Sequence, residues 1–397
     1  MALFQAVLLH AVALAAAKSE GCVVVTGATG WVAGHTISAL LAHGRSVHGT
    51  VRDPANAEKV AFLWALETKH AAKGGKLALF KADIYDDGAY DEAVVGCTAF
   101  VHPAFGFGGD MVSLALKSTT IALAAATEAK TIVSFVLTSS VAAALNYDTG
   151  RGLTPLTAHA DGRDALTESD WAGDKPFFGD YGAAKQAQEK LVARWVADAA
   201  AKSESGVAPF RASAVLFYNA YGPQLGERVT SSNMFPQMPL LGTLPFAPPV
   251  TIHAVDIRDV GAAHALLASH PAASGRYIVA PPSEGTPGGR PGQRTCWSVV
   301  DMARLYRDDA ALSKMYTRLP FIHFPIALFR FFFALMPRSV HTDPGQMVGV
   351  GPGSCRPGGD GTRLVSAHSF LSFLLLHSML RSFFFLHLYL FIIPYMH

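Results

Sequence analysis

The 397-residue sequence is poor in charge. Asp, Glu, Lys and Arg make up 16% of it and half of it is hydrophobic, whereas charged residues take about a quarter of an ordinary globular chain. That balance excludes a disordered, charge-driven binder. Thirty-two basic residues face 30 acidic ones for a formal charge of +2, and no basic run alternates with aromatics, so no nucleic-acid partner is expected. Cysteine is scarce as well. Cys22, Cys97, Cys296 and Cys355 stand far apart and lack the spacing of a zinc or dithiol motif. Neither a metal nor a redox centre is expected, and the four read as reduced structural thiols. A charged start is also missing: residues 1–17 are apolar and Ala-rich with no Lys or Arg before them, although the run Ala13–Ala17 has the small side chains of a signal cleavage site. Residues 1–20 therefore leave open a secretory leader, or else an Ala-rich leading helix or a mis-assigned start ahead of a cytoplasmic enzyme.

The other end departs from the rest in composition. Residues 281–294 and 344–361 are rich in Gly and Pro and read as loops. Phe321–Met336 is dominated by Phe, and 370–393 is apolar apart from Ser, His377, Arg381 and His387. A span of about twenty apolar residues can cross a bilayer, but Arg381 in the middle of one would be costly. The tail 321–397 is expected to be either a membrane-associating segment or a low-complexity stretch from a doubtful reading frame.

What the chain does contain is a phosphate cradle near its beginning. Val23-Val24-Val25 is a β-branched run, and it enters Thr26-Gly27-Ala28-Thr29-Gly30-Trp31-Val32-Ala33. Ile37, Leu40 and Leu41 follow at helical spacing, with Gly44 as a stop. Gly27 permits a tight turn, and Gly30 lets the backbone approach a pyrophosphate. The helix N-terminus then offers N–H groups and positive dipole to that anion. A second strand, Ser46–Val51, lies one βαβ unit later and ends in Arg52-Asp53. Arg52 is placed to meet a 2′-phosphate and favours NADP. Asp53 allows the competing reading, an acid on the ribose hydroxyl and hence NAD.

Further units repeat the pattern. A helix over 55–72 precedes a strand at Lys76–Phe80, which ends in Ala82-Asp83-Ile84. Asp83 could accept from an adenine amino group, or it could simply cap a turn. Ala99–His102 is a short strand entering a glycine-rich loop, Pro103–Gly109, long enough to cover a cofactor. A helix at Met111–Ala129 leads to a strand at Ile132–Leu137, closed by Thr138-Ser139-Ser140. The alternation predicts an α/β fold, a Rossmann-type doubly wound parallel sheet with a smaller C-terminal substrate lobe drawn from about 222–250 and 279–320. Ligands in such sheets bind at the carboxyl ends of the strands. The glycine turn, Asp83, His102 and Ser140 all fall there.

After a polar segment, Tyr181-Gly-Ala-Ala-Lys185 opens an amphipathic helix. Tyr181 and Lys185 are four apart and share a helical face. A phenol titrates near pH 10, and a nearby cation would lower that, so that Tyr181 could pass a proton to or from a carbonyl oxygen. Ser140 could hydrogen-bond the same oxygen, with Ser139 the neighbouring alternative.

On these motifs the chain resembles the extended short-chain dehydrogenases/reductases of the NAD-dependent epimerase/dehydratase superfamily. It is most similar to their dihydroflavonol reductase, cinnamoyl-CoA reductase and yeast-type carbonyl reductase group. The match rests on TGATGWVA at 26–33, VRDP at 51–54, ADI at 82–84, TSS at 138–140, TESDW at 167–171 and YGAAK at 181–185. YGP at 221–223, the HAVDIRDVGAAH stretch ending at His264 and GRYI at 275–278 complete it. The resemblance covers Cys22 to about Leu319 and implies a catalytic set of Ser140, Tyr181 and Lys185. The implied cofactor-binding set is Thr26, Gly27, Thr29, Gly30, Trp31, Val32, Arg52, Asp83, Ile84 and His102. It also implies an NADP-dependent oxidoreductase acting on CH–OH or carbonyl groups of a small molecule. Pro103 and the segment Leu216-Phe217-Tyr218-Asn219 depart from the group's pattern. A membrane-associated 3β-hydroxysteroid or sterol dehydrogenase-like enzyme and a catalytically silent NADP-binding sensor are the alternatives.

Overall fold

The computed structural model describes residues 21–145, 166–174, 176, 178–226, 232, 251–281 and 296–310. The leader at 1–20, about two thirds of the polar segment 146–178, most of 222–250 and the tail 321–397 lie outside them. Among the described residues, those of 21–226 and 253–281 form one compact unit and 296–310 belong to a second.

The first unit is built on seven parallel strands: β1 (Cys22–Val25), β2 (Val47–Val51), β3 (Leu77–Lys81), β4 (Cys97–His102), β5 (Ser134–Thr138), β6 (Arg211–Phe217) and β9 (Gly275–Val279). Their order across the sheet is β3-β2-β1-β4-β5-β6-β9. The chain winds outward one way from β1 and then returns to wind the other way from β4, which puts the topological switch point between β1 and β4. Outside this sheet, β7 (Asn219–Tyr221) and β8 (Thr251–Asp256) pair in parallel. The Rossmann-type doubly wound sheet expected from the alternation is the observed fold.

Residue alternation sorts the core into two layers. Val23, Val25, Ala99, Val101, Val136 and Val215 face α1 (Trp31–Ala42), α2 (Ala57–His70) and α5 (Ile257–Ser269). Phe100 and Phe135 point the other way, stacked with centroids 5.4 Å apart, with Tyr90 edge-on to Phe100. On that side α3 (Met111–Glu128) packs on α4 (Gly179–Lys202). Helices α1 and α5 approach closely at Gly261, where a Cβ would lie 2.7 Å from the His35 carbonyl. The second unit shows β10 (Cys296–Ser298) and α6 (Val299–Asp308).

Boundaries shift slightly from those expected. β5 pairs with β4 from Ser134, opposite Ala99, and with β6 as far as Thr138, opposite Val215, which places Ser139 and Ser140 just past its end. Expectation fails on the cysteines. Cys22 and Cys97 are joined by a disulfide across a sequence separation of 75. They are direct partners in the β1–β4 ladder, so the winding of the sheet brings together two side chains whose spacing carries no signal. His48 of β2 lies beside them, with one ring nitrogen within 4.8 Å of both sulfurs.

Candidate active site

Side-chain caps close three of the helices: Asn56, Asp110 and Asp256 accept from backbone N–H groups at the starts of α2, α3 and α5. Helix α1 begins instead at Gly30, with no side-chain cap and no acid in its first turn. Its N–H groups are left for an external anion. The turn leading to it is fixed by the neighbouring strand. Gly27 donates its N–H to Thr50 Oγ1 at 3.3 Å, and Ala28 N–H donates to the Thr50 carbonyl at 2.8 Å. Gly27 has φ +60°, and a Cβ there would come 3.1 Å from Ala104 Cβ. Thr29 and Gly30 are exposed at the mouth. A dinucleotide pyrophosphate fits this uncapped, side-chain-free cradle.

Three members of the expected cofactor set act differently from the simplest reading. The Trp31 ring is buried in an apolar cluster with Ala220, Val255, Ile257 and Val260, and Val32 packs against that cluster. Trp31 therefore offers a ligand its backbone rather than its ring. His102 is 1% exposed and bonds Thr26 Oγ1 through Nδ1 at 2.9 Å. Burial, with Lys185 adding to it, pushes its pKa down to about 3, so it is a neutral prop beneath Thr26. Thr26 Oγ1 also accepts from Ala104 N–H at 3.2 Å, which ties the cradle to the loop after β4.

At the outer end, Arg52 and Asp53 are both exposed beyond β2. The Asp53 carboxylate accepts from Ala55 N–H at 3.0 Å, a local turn that engages one of its oxygens. Asp83 likewise accepts from Tyr85 N–H at 3.0 Å, so the capping role is realised. Ile84 beside it is half-buried.

Across the switch point, α4 carries Tyr181 and Lys185 to the end of β5. Ser140 acts on the Tyr181 phenol in the direction that favours its ionised form, and its own Oγ accepts from Ala142 N–H at 3.2 Å. The expected effect of Lys185 on the phenol is not what the geometry gives. Burial holds Tyr181 above its ordinary value, and Ser140 is the opposing influence. Lys185 donates from Nζ to the Thr138 carbonyl at 3.0 Å and sits 4.1 Å from the centroid of Phe105. Burial brings its ammonium down to about 7, against the pull of Glu189.

Several contributors carried no obvious sequence signal. Phe105 meets Tyr181 edge-on at 5.5 Å and Phe107 lies parallel to it at 6.0 Å, so the glycine-rich loop brings aromatic cover to the phenol. Thr138 is held from behind by His264. The His264 Nδ1–H donates to the Val260 carbonyl at 2.7 Å, which leaves Nε2 to accept from the Thr138 hydroxyl at 2.7 Å. His264 was visible only as part of a motif.

Residues 23–240 match the NAD dependent epimerase/dehydratase family. The chain is similar to tetraketide alpha-pyrone reductase 2 of Arabidopsis thaliana, 31% identical over 269 residues that cover 64% of this chain and 76% of that one. It is also similar to cinnamoyl-CoA reductase 1 of the same plant, 34% identical over 269 residues, covering 65% and 70%. Among solved structures, Gre2 from Candida albicans in complex with NADPH aligns with a TM-score of 0.56 at 21% identity, over 76% of this chain and 86% of that one. Vestitone reductase from alfalfa (Medicago sativa L.) gives 0.53 at 23%, over 76% and 89%. At those identities the structures share the fold. The chain belongs to the NAD dependent epimerase/dehydratase family and is an NAD(P)-dependent oxidoreductase.

Proposed function

We propose that this member of the family is an NADP-dependent carbonyl reductase whose proton chemistry runs through Ser140, Tyr181 and Lys185. The observation that carries the proposal is the meeting of Ser140, just past β5, with Tyr181 and Lys185 of α4, where Lys185 Nζ bonds the Thr138 carbonyl at 3.0 Å, at the carboxyl edge of the sheet where the glycine cradle also opens. A phenol held above its ordinary value is protonated at neutral pH, so it is set as an acid for the reductive direction. Tyr181 would donate its proton to the carbonyl oxygen. Ser140 would orient that oxygen and then stabilise the phenolate left behind. Lys185, one turn along the same helix, would add positive charge next to it. When bound, the nicotinamide supplies the hydride to the carbonyl carbon.

NADP rather than NAD is favoured by the two exposed residues after β2. Arg52 can pair with a 2′-phosphate, while Asp53 has one oxygen turned back onto Ala55 N–H. The substrate lobe is assigned to residues 222–250 and 279–320, and the substrate to small carbonyl compounds or the matching alcohols. Among the described residues no helix is long and apolar enough to cross a membrane, and no observation favours the sterol dehydrogenase alternative.

The test is loss of NADPH absorbance with a panel of ketones and aldehydes. Tyr181→Phe should lower turnover roughly a hundredfold or more while NADPH affinity stays within about twofold, since the cradle is untouched. Wild-type protein that binds NADPH and reduces no carbonyl would replace this reading with a nucleotide-binding sensor.

A further inference from the structure

Tyr181 and Lys185 are followed on α4 by Glu189, so the three stand one turn apart on a single face. Glu189 is 4% exposed. A carboxylate that far from water is costly unless both oxygens are engaged. Here Ser139, the residue next to Ser140, donates its hydroxyl to Oε1. Arg276 of β9 donates Nε–H to Oε2 at 2.5 Å.

Arg276 is itself held on three sides. Its guanidinium lies 4.0 Å over the Trp171 ring. Its Nη1 donates to the carbonyls of Glu168, at 2.7 Å, and Asp170. Glu168 in turn accepts from Ile278 N–H at 3.1 Å. The TESDW and GRYI motifs, 108 residues apart at that contact, therefore converge behind the Tyr/Lys helix.

We propose that Glu189 and Arg276 form a positioning pair: Glu189 supplies the negative charge that keeps Lys185 an ammonium in its buried place, and Arg276 keeps Glu189 ionised. The inference rests on the reading of Ser140, Tyr181 and Lys185 given above. Among the described residues, the other groups that face Lys185 are neutral. Tyr181 on its own helix is a protonated phenol, and His102 from β4 is neutral. His264 from α5 is neutral and engaged with Thr138. Phe105 offers a ring face, and β5 offers the Thr138 carbonyl. Lys190 is exposed, over the far side of the network at Trp171. Glu189 is the charge that raises the Lys185 ammonium back toward its usual range. Burial raises the Glu189 carboxyl above its ordinary value, and Arg276 is the strongest influence against that. Ser139 adds a mechanical link, because the hydroxyl that anchors Glu189 belongs to the residue that presents Ser140.

Glu189→Gln tests the pair, since the amide keeps the shape and can still accept from Ser139 while losing the charge. With NADPH and a reduced carbonyl, KM and NADPH affinity should stay within about twofold. The limb of the kcat–pH profile that reports Lys185 should move about one unit to lower pH. Glu189→Asp, which keeps the charge, should restore the wild-type position of that limb, and Arg276→Lys should shift it less than Glu189→Gln does. A Glu189→Gln profile superimposed on that of wild type overturns the proposal. So does an equal shift in Glu189→Asp, because that would mark a purely steric role. A second readout needs no turnover: the Lys185 13Cε resonance, assigned with Lys185→Met, titrated in wild type and Arg276→Lys. Unchanged midpoints there overturn the pair even if no carbonyl is reduced, whereas failed turnover with a shifted midpoint removes only the carbonyl reductase reading.

Discussion

The two sides of the switch point are supported by different means. The cradle side, β1 with its neighbours β2 and β4, is held by backbone hydrogen bonds at Gly27 and Ala28 and by a covalent bond between Cys22 and Cys97. The proton side, the end of β5 with α4, is held by buried polar side chains: Thr138 by His264, Glu189 by Ser139 and Arg276. A backbone cradle needs no particular protonation state, so it can bind an anion over a wide pH range. A site that moves protons needs groups whose charge responds to their surroundings, and those must be buried and individually satisfied. The cradle side should therefore be vulnerable to reductants and to substitutions that add a Cβ. The proton side should be vulnerable to acid.

The largest effect expected is on the covalent support. Closing a loop of 75 residues stabilises the folded state by about 4 kcal/mol in the chain-entropy account. Dithiothreitol should lower the free energy of urea unfolding by that order, and Cys97→Ala should show the same loss with no further response to the reductant. Identical unfolding curves with and without reductant would remove the disulfide from the account. Next comes the turn itself. Gly27→Val forces a β-branched residue to φ +60° and sets its Cβ against Ala104, at about 3 kcal/mol. NADPH affinity should fall roughly a hundredfold, measured by fluorescence titration, while the Ser140–Tyr181 side stays folded.

Acid should act through the buried histidines, and on the proton side through His264. His264 has a folded pKa near 4, lowered from 6.5 by burial, so between those values the unfolded chain binds the extra proton. Stability is then constant above about pH 6.5 and falls as the pH drops toward 4, by about 1.4 kcal/mol per unit. At pH 5 the loss from this residue is about 2 kcal/mol. His264→Gln should flatten that slope by one proton's worth in urea unfolding between pH 7 and 5. An unchanged slope would mean that the Thr138–His264 contact is not what makes the proton side acid-sensitive. His102 carries the same sign on the cradle side, beneath Thr26, so His264→Gln isolates the share of the proton side.

How far each side could be read from the sequence follows the same division. The cradle occupies consecutive residues, Val23 to Ala33, because backbone turns and helix starts are local; its strand, glycines and helix all stand where the spacing places them. Tyr181 and Lys185 were legible for the same reason, four apart on one helix. The disulfide was not, since Cys22 meets Cys97 only through the β1–β4 crossing. Neither were the partners behind the Tyr/Lys helix: His264 reaches Thr138 across 126 residues and Arg276 reaches Glu189 across 87. The direction of the Tyr181 shift was misread because proximity of a cation on the helix says nothing about how deeply the phenol is buried or where Nζ points. Burial decides both, with Nζ turned to the Thr138 carbonyl and the ring under Phe105 and Phe107.

The smallest expected effect belongs to the outer rim of the cradle, where charge meets solvent. Arg52 is exposed, so its pairing with a 2′-phosphate is screened, and a charge-assisted contact of this kind is worth about 1.4 kcal/mol, or tenfold in affinity. Arg52→Ala should weaken NADPH binding by that factor and leave NADH binding unchanged, because the pyrophosphate contacts at Gly27, Gly30 and the start of α1 are common to both. Raising the ionic strength should erase most of the difference between wild type and variant. An equal loss for both cofactors would place Arg52 among the groups that attract any anion to this edge. A wild type that prefers NADH would instead give the rim to Asp53, whose carboxylate would then have to leave the Ala55 N–H to reach a ribose hydroxyl.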